Sequence, residues 1–488
     1  MSSPHDIIQF VLNDKVVSVG FNTNPELKPT TTVLNYLRSF PFHKGVKEGC
    51  AEGDCGACSV VIAENHEGKL SYKTIDSCLV FLPMIHGKQL ITVENLADAG
   101  KLHPVQQEMV NHNGSQCGYC TPGVVMSLFG LYKNHHNPGR EVIEDALTGN
   151  LCRCTGYQSI IKAAEHACSC VDTDKFKLHE AKIVTLLSEI NRDNSTVEIN
   201  TPNQNYYKPL TLQDALALRR KYPHATLISG ASDTALRQTK KREFLNEILD
   251  ISDVAELKYF VEDEKDFKIG AGLTLEQLKL HSFGKLPALN KMLQIFGSLQ
   301  IRNLATIGGN IGSASPIGDT LPLLIAYKAK VELQSADSER LIPFSDFITG
   351  YRTTDIRYDE LITAVHIPKL TADTYVHSFK VSKRKDLDIS TVSGGFSLQL
   401  EDGHVKEIIL AFGGMADQPK RASETEHYLL WKPWTRANAE HAMKILQHEF
   451  TPLSDARSGS EYRKLVAANL LLKFYAETQL PGYENCRP

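Results

Sequence analysis

The chain is predicted to be an α+β protein of several domains, and three observations predict it. Up to residue 95 apolar residues alternate at strand spacing around a glycine-rich cysteine loop, and over 96–172 they recur at intervals of three and four. Beyond a polar linker at 173–200, strands and amphipathic helices are mixed, first over 201–370 and then over 371–488. A length of 488 residues sets a prior of roughly three domains. Hydrophobic residues make up 42% of the chain, enough to give each domain a core.

The elements follow in order. Residues 7–19 (IIQFVLNDKVVSV) read as a hairpin with its turn at Asn13-Asp14, and VVIAE, KLSYKTI and QLITVEN supply further strands. HPVQQEMVNHN, PGVVMSLFGLYKN, REVIEDAL and YQSIIKAAEHA then read as four helices, with Pro122 suited to the first turn of the second. The linker holds one short helix, AKIVTLLSEI. After it come a helix capped by Thr211 (PLTLQDALALRRKYP) and a buried strand, TLISG, running into the loop GASDT. RNLATIGGNIGSASPIGD shows little helical pattern, and its four glycines let backbone approach a ligand and offer N–H groups to phosphate. The last part holds a hairpin turning at Asp402-Gly403 and two helices, TRANAEHAMKILQHEF and EYRKLVAANLLLKFYAE.

Eight of eleven cysteines fall into two sets of four. Cys50, Cys55, Cys58 and Cys78 have the C-x4-C-x2-C spacing plus one remote cysteine of a plant-type ferredoxin, in which thiolates hold a 2Fe-2S cluster. Gly49, Gly53 and Gly56 let that loop wrap so that backbone N–H groups face electron-rich sulfur, which argues against structural zinc. Cys117 and Cys120 (SQCGYCTPG) pair with Cys152 and Cys154 (GNLCRCTGY) across a helical interval, and the four-helix arrangement would bring the two ends together around a buried cluster. Zinc fingers seldom use C-x-C in this way. Two adjacent one-electron centres make a relay. Cys168 and Cys170 are expected to pack against the helices, Cys486 to lie in a tail, and His135-His136 to be a solvent-facing helix end.

Composition excludes several classes. The net charge is −4 with a pI near 6.5, and no dense basic cluster points to nucleic acid or an anionic membrane. Lys473 and Glu477 interrupt the longest apolar stretch, and MSSPHDIIQF lacks the features of a secretory signal. A cytoplasmic location is expected, where thiols stay reduced and ligate metal rather than forming disulfides. No G-x-S-x-G, H-E-x-x-H or Walker A motif occurs, nor a Rossmann G-x-G-x-x-G, so no catalytic residue is assigned. A zinc-stabilised binding module with a degenerate nucleotide fold is the reading from another class; such a protein would be colourless.

Taken in sequence, the cysteine motifs followed by LISGASDTAL, TIGGNIGSASPIGD and FKVSKRKDLDIS resemble the iron-sulfur and flavin portion of the xanthine dehydrogenase (xanthine oxidase) family of molybdenum hydroxylases. The resemblance covers nearly the whole chain and is closest to the small subunit of the bacterial two-gene form. It implies a ferredoxin-like β-grasp domain (1–95), a four-helix 2Fe-2S domain (96–172), an FAD-binding domain of the vanillyl-alcohol-oxidase type (201–370) and an α/β C-terminal flavoprotein domain (371–488). FAD contacts carried over by position are Leu227, Ile228, Ser229, Gly230, Ala231, Ser232, Asp233, Thr234, Phe296, Thr306, Ile307, Gly308, Gly309, Asn310, Asp319, Ile362 and Lys380. One departure from the family is Ala231-Ser232 before Asp233, where relatives often carry a bulkier residue and Thr.

The resemblance further implies a separate molybdopterin-binding large subunit, assembled with this chain as a heterotetramer of two small and two large chains. Electrons from purine hydroxylation would pass through two 2Fe-2S clusters, the Cys117 set nearest the molybdenum, to FAD and on to NAD. An equivalent role in an aldehyde or N-heterocycle hydroxylase is the alternative. Lys380 is expected near the flavin ring, its charge favouring the reduced anion. Arg384 and Lys385, in the run after it, are equally well read as a solvated loop.

Overall fold

The computed structural model describes residues 6–24, 26–169, 174–192 and 195–479. The chain forms two compact units: Met1–Val254 with Gly297–Ala305, and Ala255–Phe296 with Thr306–Pro488.

The first unit opens on the expected hairpin, β1 (Ile7–Leu12) and β2 (Lys15–Gly20). Its turn residues Asn13 and Asp14 have φ of 52° and 63°, the left-handed pair that a two-residue hairpin turn requires. Helix α1 (Val33–Ser39), strands β3 (Ser59–His66) and β4 (Lys69–Asp76) and the short β5 (Gln89–Ile91) complete a mixed sheet of order β2-β1-β5-β3-β4. Strand alternation divides its faces: Val60 and Ile62 join the core with Val33, Leu34 and Leu37 of α1. Val61 and Ala63 point the other way, to the helical core around Val124, Leu128 and Phe129. QLITVEN is strand only as far as Ile91, since Val93–Asn95 turns into a 3-10 helix.

The four expected helices are α2 (Pro104–Asn111), α3 (Thr121–Asn134), α4 (Arg140–Leu147) and α5 (Gln158–Ser169). Buried Cys168 joins their core, and burial pushes its thiol up to about 11; Cys170 and Cys486 lie outside the described residues. Both His135 and His136 are exposed at the end of α3. The stretch read as linker holds α6 (Lys175–Leu178) and α7 (Glu180–Ile190), and its end, Val197–Asn200, is a strand. That strand, β6, forms a sheet with β7 (Asn205–Lys208), β8 (Thr226–Ile228) and β9 (Glu247–Asp250), flanked by α8 (Leu212–Lys221) and α9 (Ala235–Thr239). Polar composition hid β6, whose Val197 and Ile199 alternate inward.

The second unit begins with β10 (Phe260–Glu262), β11 (Asp266–Gly270), α10 (Leu275–Ser282) and α11 (Pro287–Gln294). The chain then crosses back as α12 (Leu299–Arg302), which belongs to the first unit. It resumes with α13 (Ile307–Gly312), α14 (Thr320–Ala326), β12 (Lys330–Gln334), β13 (Glu339–Pro343), α15 (Phe344–Phe347), β14 (Ile348–Gly350), β15 (Thr353–Thr354) and β16 (Leu361–Pro368). One antiparallel sheet has order β10-β11-β16-β12-β13. A second joins β17 (Thr374–Val381), β18 (Val392–Glu401), β19 (His404–Gly413) and β20 (Lys420–Arg421), and β14 pairs with β15 by itself. Helices α16 (Ser423–Leu429), α17 (Arg436–Glu449) and α18 (Ser460–Thr478) close this part, Phe396, Phe412, Leu446 and Phe474 sharing one core. No helix among the described residues is long and apolar enough to cross a membrane.

Candidate cluster and flavin sites

The structure brings the four cysteines of each set together. In the first, the Cys55 and Cys78 thiols hydrogen-bond the Cys50 sulfur and hold it well below the ordinary thiol range, and Cys78 acts likewise on Cys58. Four sulfurs therefore share one cradle. Backbone N–H groups of Glu52 and Asp54 donate to Cys50 Sγ at 3.4 and 3.2 Å, as expected of a loop built to face anionic sulfur. The loop bends through left-handed Ala51, Gly53 and Gly56. A Cβ on Gly49 would sit 2.8 Å from Cys55 Sγ, so the cradle has room for a cluster only because that side chain is missing. These donors and this space fit an iron-sulfur group.

The second set joins across the helices. Cys117 hydrogen-bonds Cys154, and Cys120 hydrogen-bonds Cys152, so each half of the C-x2-C meets the C-x-C. Burial and the Cys152 contact push Cys120 up to about 12, whereas the Thr155 hydroxyl at 3.1 Å helps hold Cys152 low against its burial. This site is not the buried one expected. Cys117 and Cys154 are exposed, because both loops emerge at helix ends rather than between helix faces.

The two cysteine loops touch through backbone. Leu151 N–H, beside Cys152, donates to Cys55 O at 3.1 Å. Glycines permit the approach: a Cβ on Gly56 would lie 2.3 Å from Gly149 O, and one on Gly123 would lie 2.1 Å from Gly56 O. Asn150 holds the contact, donating to Gly56 O at 3.2 Å and Ser59 Oγ at 3.3 Å while accepting from Ser127 Oγ. Gln300 of α12 completes the set, donating to Ser127 Oγ at 2.9 Å and Asn150 Oδ1 at 3.0 Å. Tyr157 Oη takes the Cys152 N–H at 2.7 Å. Sequence reasoning missed all four. Asn150 and Tyr157 flank the C-x-C and could have been suspected; Gln300 is remote in sequence and gives no signal.

Of the residues expected to meet FAD, Leu227–Thr234 lie on the first unit, along β8 and the loop before α9. Gly230 (φ +87) and Ala231 (φ +56) are both left-handed, and a Cβ on Gly230 would fall 1.8 Å from Leu304 O. The alanine that departs from the family is buried at this bend, where a small residue pays least for its backbone.

The others lie on the second unit. Where little helical pattern was expected, Thr306 caps α13 by accepting Gly309 N–H at 3.0 Å; the cap organises a glycine-rich turn that propensity alone disfavours. Gly309 is exposed on that first turn, Ile307 and Gly308 are buried, and Asn310 is tied to Thr320. Ile362 is buried on β16 and Phe296 is half-buried at the end of α11. The Lys380 side chain is 2% exposed and pairs with Asp319 at 2.9 Å, while also donating to Ile295 O at 3.0 Å. Ser390 Oγ donates to the other Asp319 oxygen. The lysine charge assigned to a flavin is thus shared with a carboxylate. Arg384 pairs with Asp388, and Lys385 is exposed.

This arrangement, two cysteine cradles followed by a glycine-rich capped turn in a sheet domain, is that of an iron-sulfur flavoprotein. Family models bear on the same stretches: "2Fe-2S binding domain" matches residues 92–165, "FAD binding domain in molybdopterin dehydrogenase" 197–370, and "CO dehydrogenase flavoprotein C-terminal domain" 377–478. The chain is 31% identical to xanthine dehydrogenase of Emericella nidulans over 96% of its own length and 38% of that protein's. With xanthine dehydrogenase 1 of Arabidopsis thaliana it is 31% identical over 91% of its length and 38% of that protein's. Among solved structures, a chain of the Cu,Mo-CO dehydrogenase matches with a TM-score of 0.52 and 25% identity, over 55% of this chain and 94% of that one. The chain belongs to the molybdenum hydroxylase family, as its FAD and iron-sulfur portion. It spans under two fifths of the length of the curated relatives it matches.

Proposed function

We propose that this chain is the electron-transfer part of a xanthine dehydrogenase. It would take electrons from a molybdopterin site on a partner subunit through two 2Fe-2S clusters to FAD, and from there reduce NAD. Cys50, Cys55, Cys58 and Cys78 are assigned to one cluster, and Cys117, Cys120, Cys152 and Cys154 to the other. FAD is assigned to Leu227–Thr234, Phe296, Thr306–Asn310, Asp319, Ile362 and Lys380. Bound flavin supplies the conversion between single electrons and a hydride. The observation that carries the reading is the convergence of both cysteine sets on loops joined by the Leu151–Cys55 hydrogen bond. The relatives' name favours a purine as the partner's substrate. A heterotetramer of two such chains with two large subunits is the assembly proposed.

The test separates the two halves of the proposal. Anaerobically purified protein should contain about four iron and about four acid-labile sulfides with one FAD. It should oxidise NADH with a tetrazolium dye, without molybdenum, and should leave xanthine untouched. Stoichiometric zinc at either cysteine set, or purine oxidation by this chain alone, would refute the assignment.

A further inference from the structure

Helices α2 and α5 pack together, and at one end of their contact three metal-binding side chains converge apart from both cysteine sets. Glu108 and His112 stand one turn apart at the C-terminal end of α2, and His166 faces them from α5. One carboxylate oxygen and two imidazole nitrogens, one from each residue, lie within 4.8 Å of one another.

Separate local devices fix the three positions. A capping box of His103 and Gln106 anchors the start of α2, and His112 N–H to Glu108 O (3.0 Å) and Gly114 N–H to Met109 O (2.8 Å) close its end. Helix α5 buries Ile160, Ile161, Ala163, Ala164 and Ala167, which leaves His166 on its exposed side. The carboxylate is oriented too. Asn111 Nδ2 donates to Glu108 Oε1 at 2.9 Å and is itself held by Gln107 Nε2 at 2.9 Å, while Glu108 Oε2 lies 3.2 Å from His112 Nε2. Such outer partners are what metal-ligating carboxylates normally have.

An ion pair accounts for Glu108 with His112 but not for the second ring. The two imidazoles stand with centroids 4.4 Å apart and planes tilted by 50°. At that spacing one divalent ion can take a nitrogen from each ring as well as the carboxylate oxygen. Ligands about 2.0–2.1 Å from a tetrahedral ion are separated by about 3.3 Å, and the Glu108–His112 distance already has that value within 0.2 Å.

We propose that Glu108, His112 and His166 bind a divalent transition-metal ion, zinc or a close substitute, with water completing its shell. Two imidazoles and one carboxylate suit zinc and copper(II), and disfavour calcium and magnesium, which take oxygen ligands. The ion would staple α2, which ends at Asn111 ahead of Cys117, to α5, which starts at Gln158 just after Cys154. It would thus brace the two segments that lead into and out of the second cysteine set.

The full chain with its cofactors, oxidised, treated with EDTA and desalted, is titrated with Zn2+ by calorimetry while iron content is followed. One ion per chain and a raised melting temperature are expected. His166→Ala and Glu108→Gln should each weaken binding at least tenfold and remove the rise, whereas His135→Ala/His136→Ala should change neither. Oxidised 2Fe-2S clusters give no electron paramagnetic resonance signal, so added Cu2+ should show nitrogen couplings from two imidazoles, and from one in His166→Ala. Unchanged binding in His166→Ala, no saturable uptake, or uptake that tracks iron release would overturn the proposal.

Discussion

The buried Lys380–Asp319 pair makes a demanding test of the flavin assignment, because the structure gives the lysine a second employer. At 2.9 Å the attraction is about 6 kcal/mol for an effective dielectric near 20. The cost of desolvating both ions offsets most of that, so the pair as a whole adds little stability. Removing one partner is another matter. Lys380→Met leaves a buried carboxylate with its Ser390 hydrogen bond but without its cation, and should cost about 3–5 kcal/mol in denaturant unfolding. The double variant Lys380→Met/Asp319→Asn should recover at least half of the loss, since no charge is left unpaired. Flavin potentiometry completes the cycle: Lys380→Met should lower the potential, and the double variant should lower it less because the neutralising carboxylate goes as well. Strictly additive stability losses, with no coupling between the two positions, would refute the pair. Equal potential shifts in single and double variants would show that Asp319 does not shield the lysine from the flavin.

Other consequences concern the remaining parts. Cys55→Ser and Cys120→Ser should each remove a different paramagnetic signal from the reduced protein; loss of the same signal from both would break the division of ligands. Gly230→Ala should cost about 1–2 kcal/mol from the left-handed backbone alone. The contact with Leu304 O adds to this, so FAD content should fall with iron unchanged, and full flavin retention would remove this loop from the site. Glu64 is held below the ordinary carboxylate range by Lys88 and Lys73, which outweigh its burial. Its contribution is complete above the unfolded value of about 4.3 and is lost as pH falls below it. The urea midpoint of the wild type should therefore drop more steeply under pH 4 than that of Glu64→Gln, and parallel profiles would exclude the network.

How much was legible depended on whether a signal is local. Hairpin turns at Asn13-Asp14 and Asp402-Gly403 and the cap at Thr211 follow from neighbouring residues, and the structure has them as read; the cysteine spacings are equally local, and each set comes together. The capped turn at Thr306 was obscured because glycine content lowers helical propensity without forbidding a single turn. Strand β6 was lost in a polar stretch whose inward residues are only two. The exposure of Cys117 and Cys154 could not be read at all, for it depends on where two loops leave a helical bundle.

Gln300 shows why the remainder resists sequence reasoning. Its segment is continuous with the glycine-rich turn at Thr306, yet it is buried among Ser127, Ala146 and Asn150 of the helical iron-sulfur part. Arg302, wholly buried, reinforces this by donating from Nη2 to both Asp145 oxygens, and Asn303 donates to Thr74 O at 2.9 Å. Gln300 thus helps hold Asn150, and through it the backbone contact of the two cysteine loops. The segment that precedes the glycine-rich turn thus packs within the first unit, among residues more than a hundred positions away in sequence. Composition selects what Gln300 can bond, but only the completed topology brings its partners within reach.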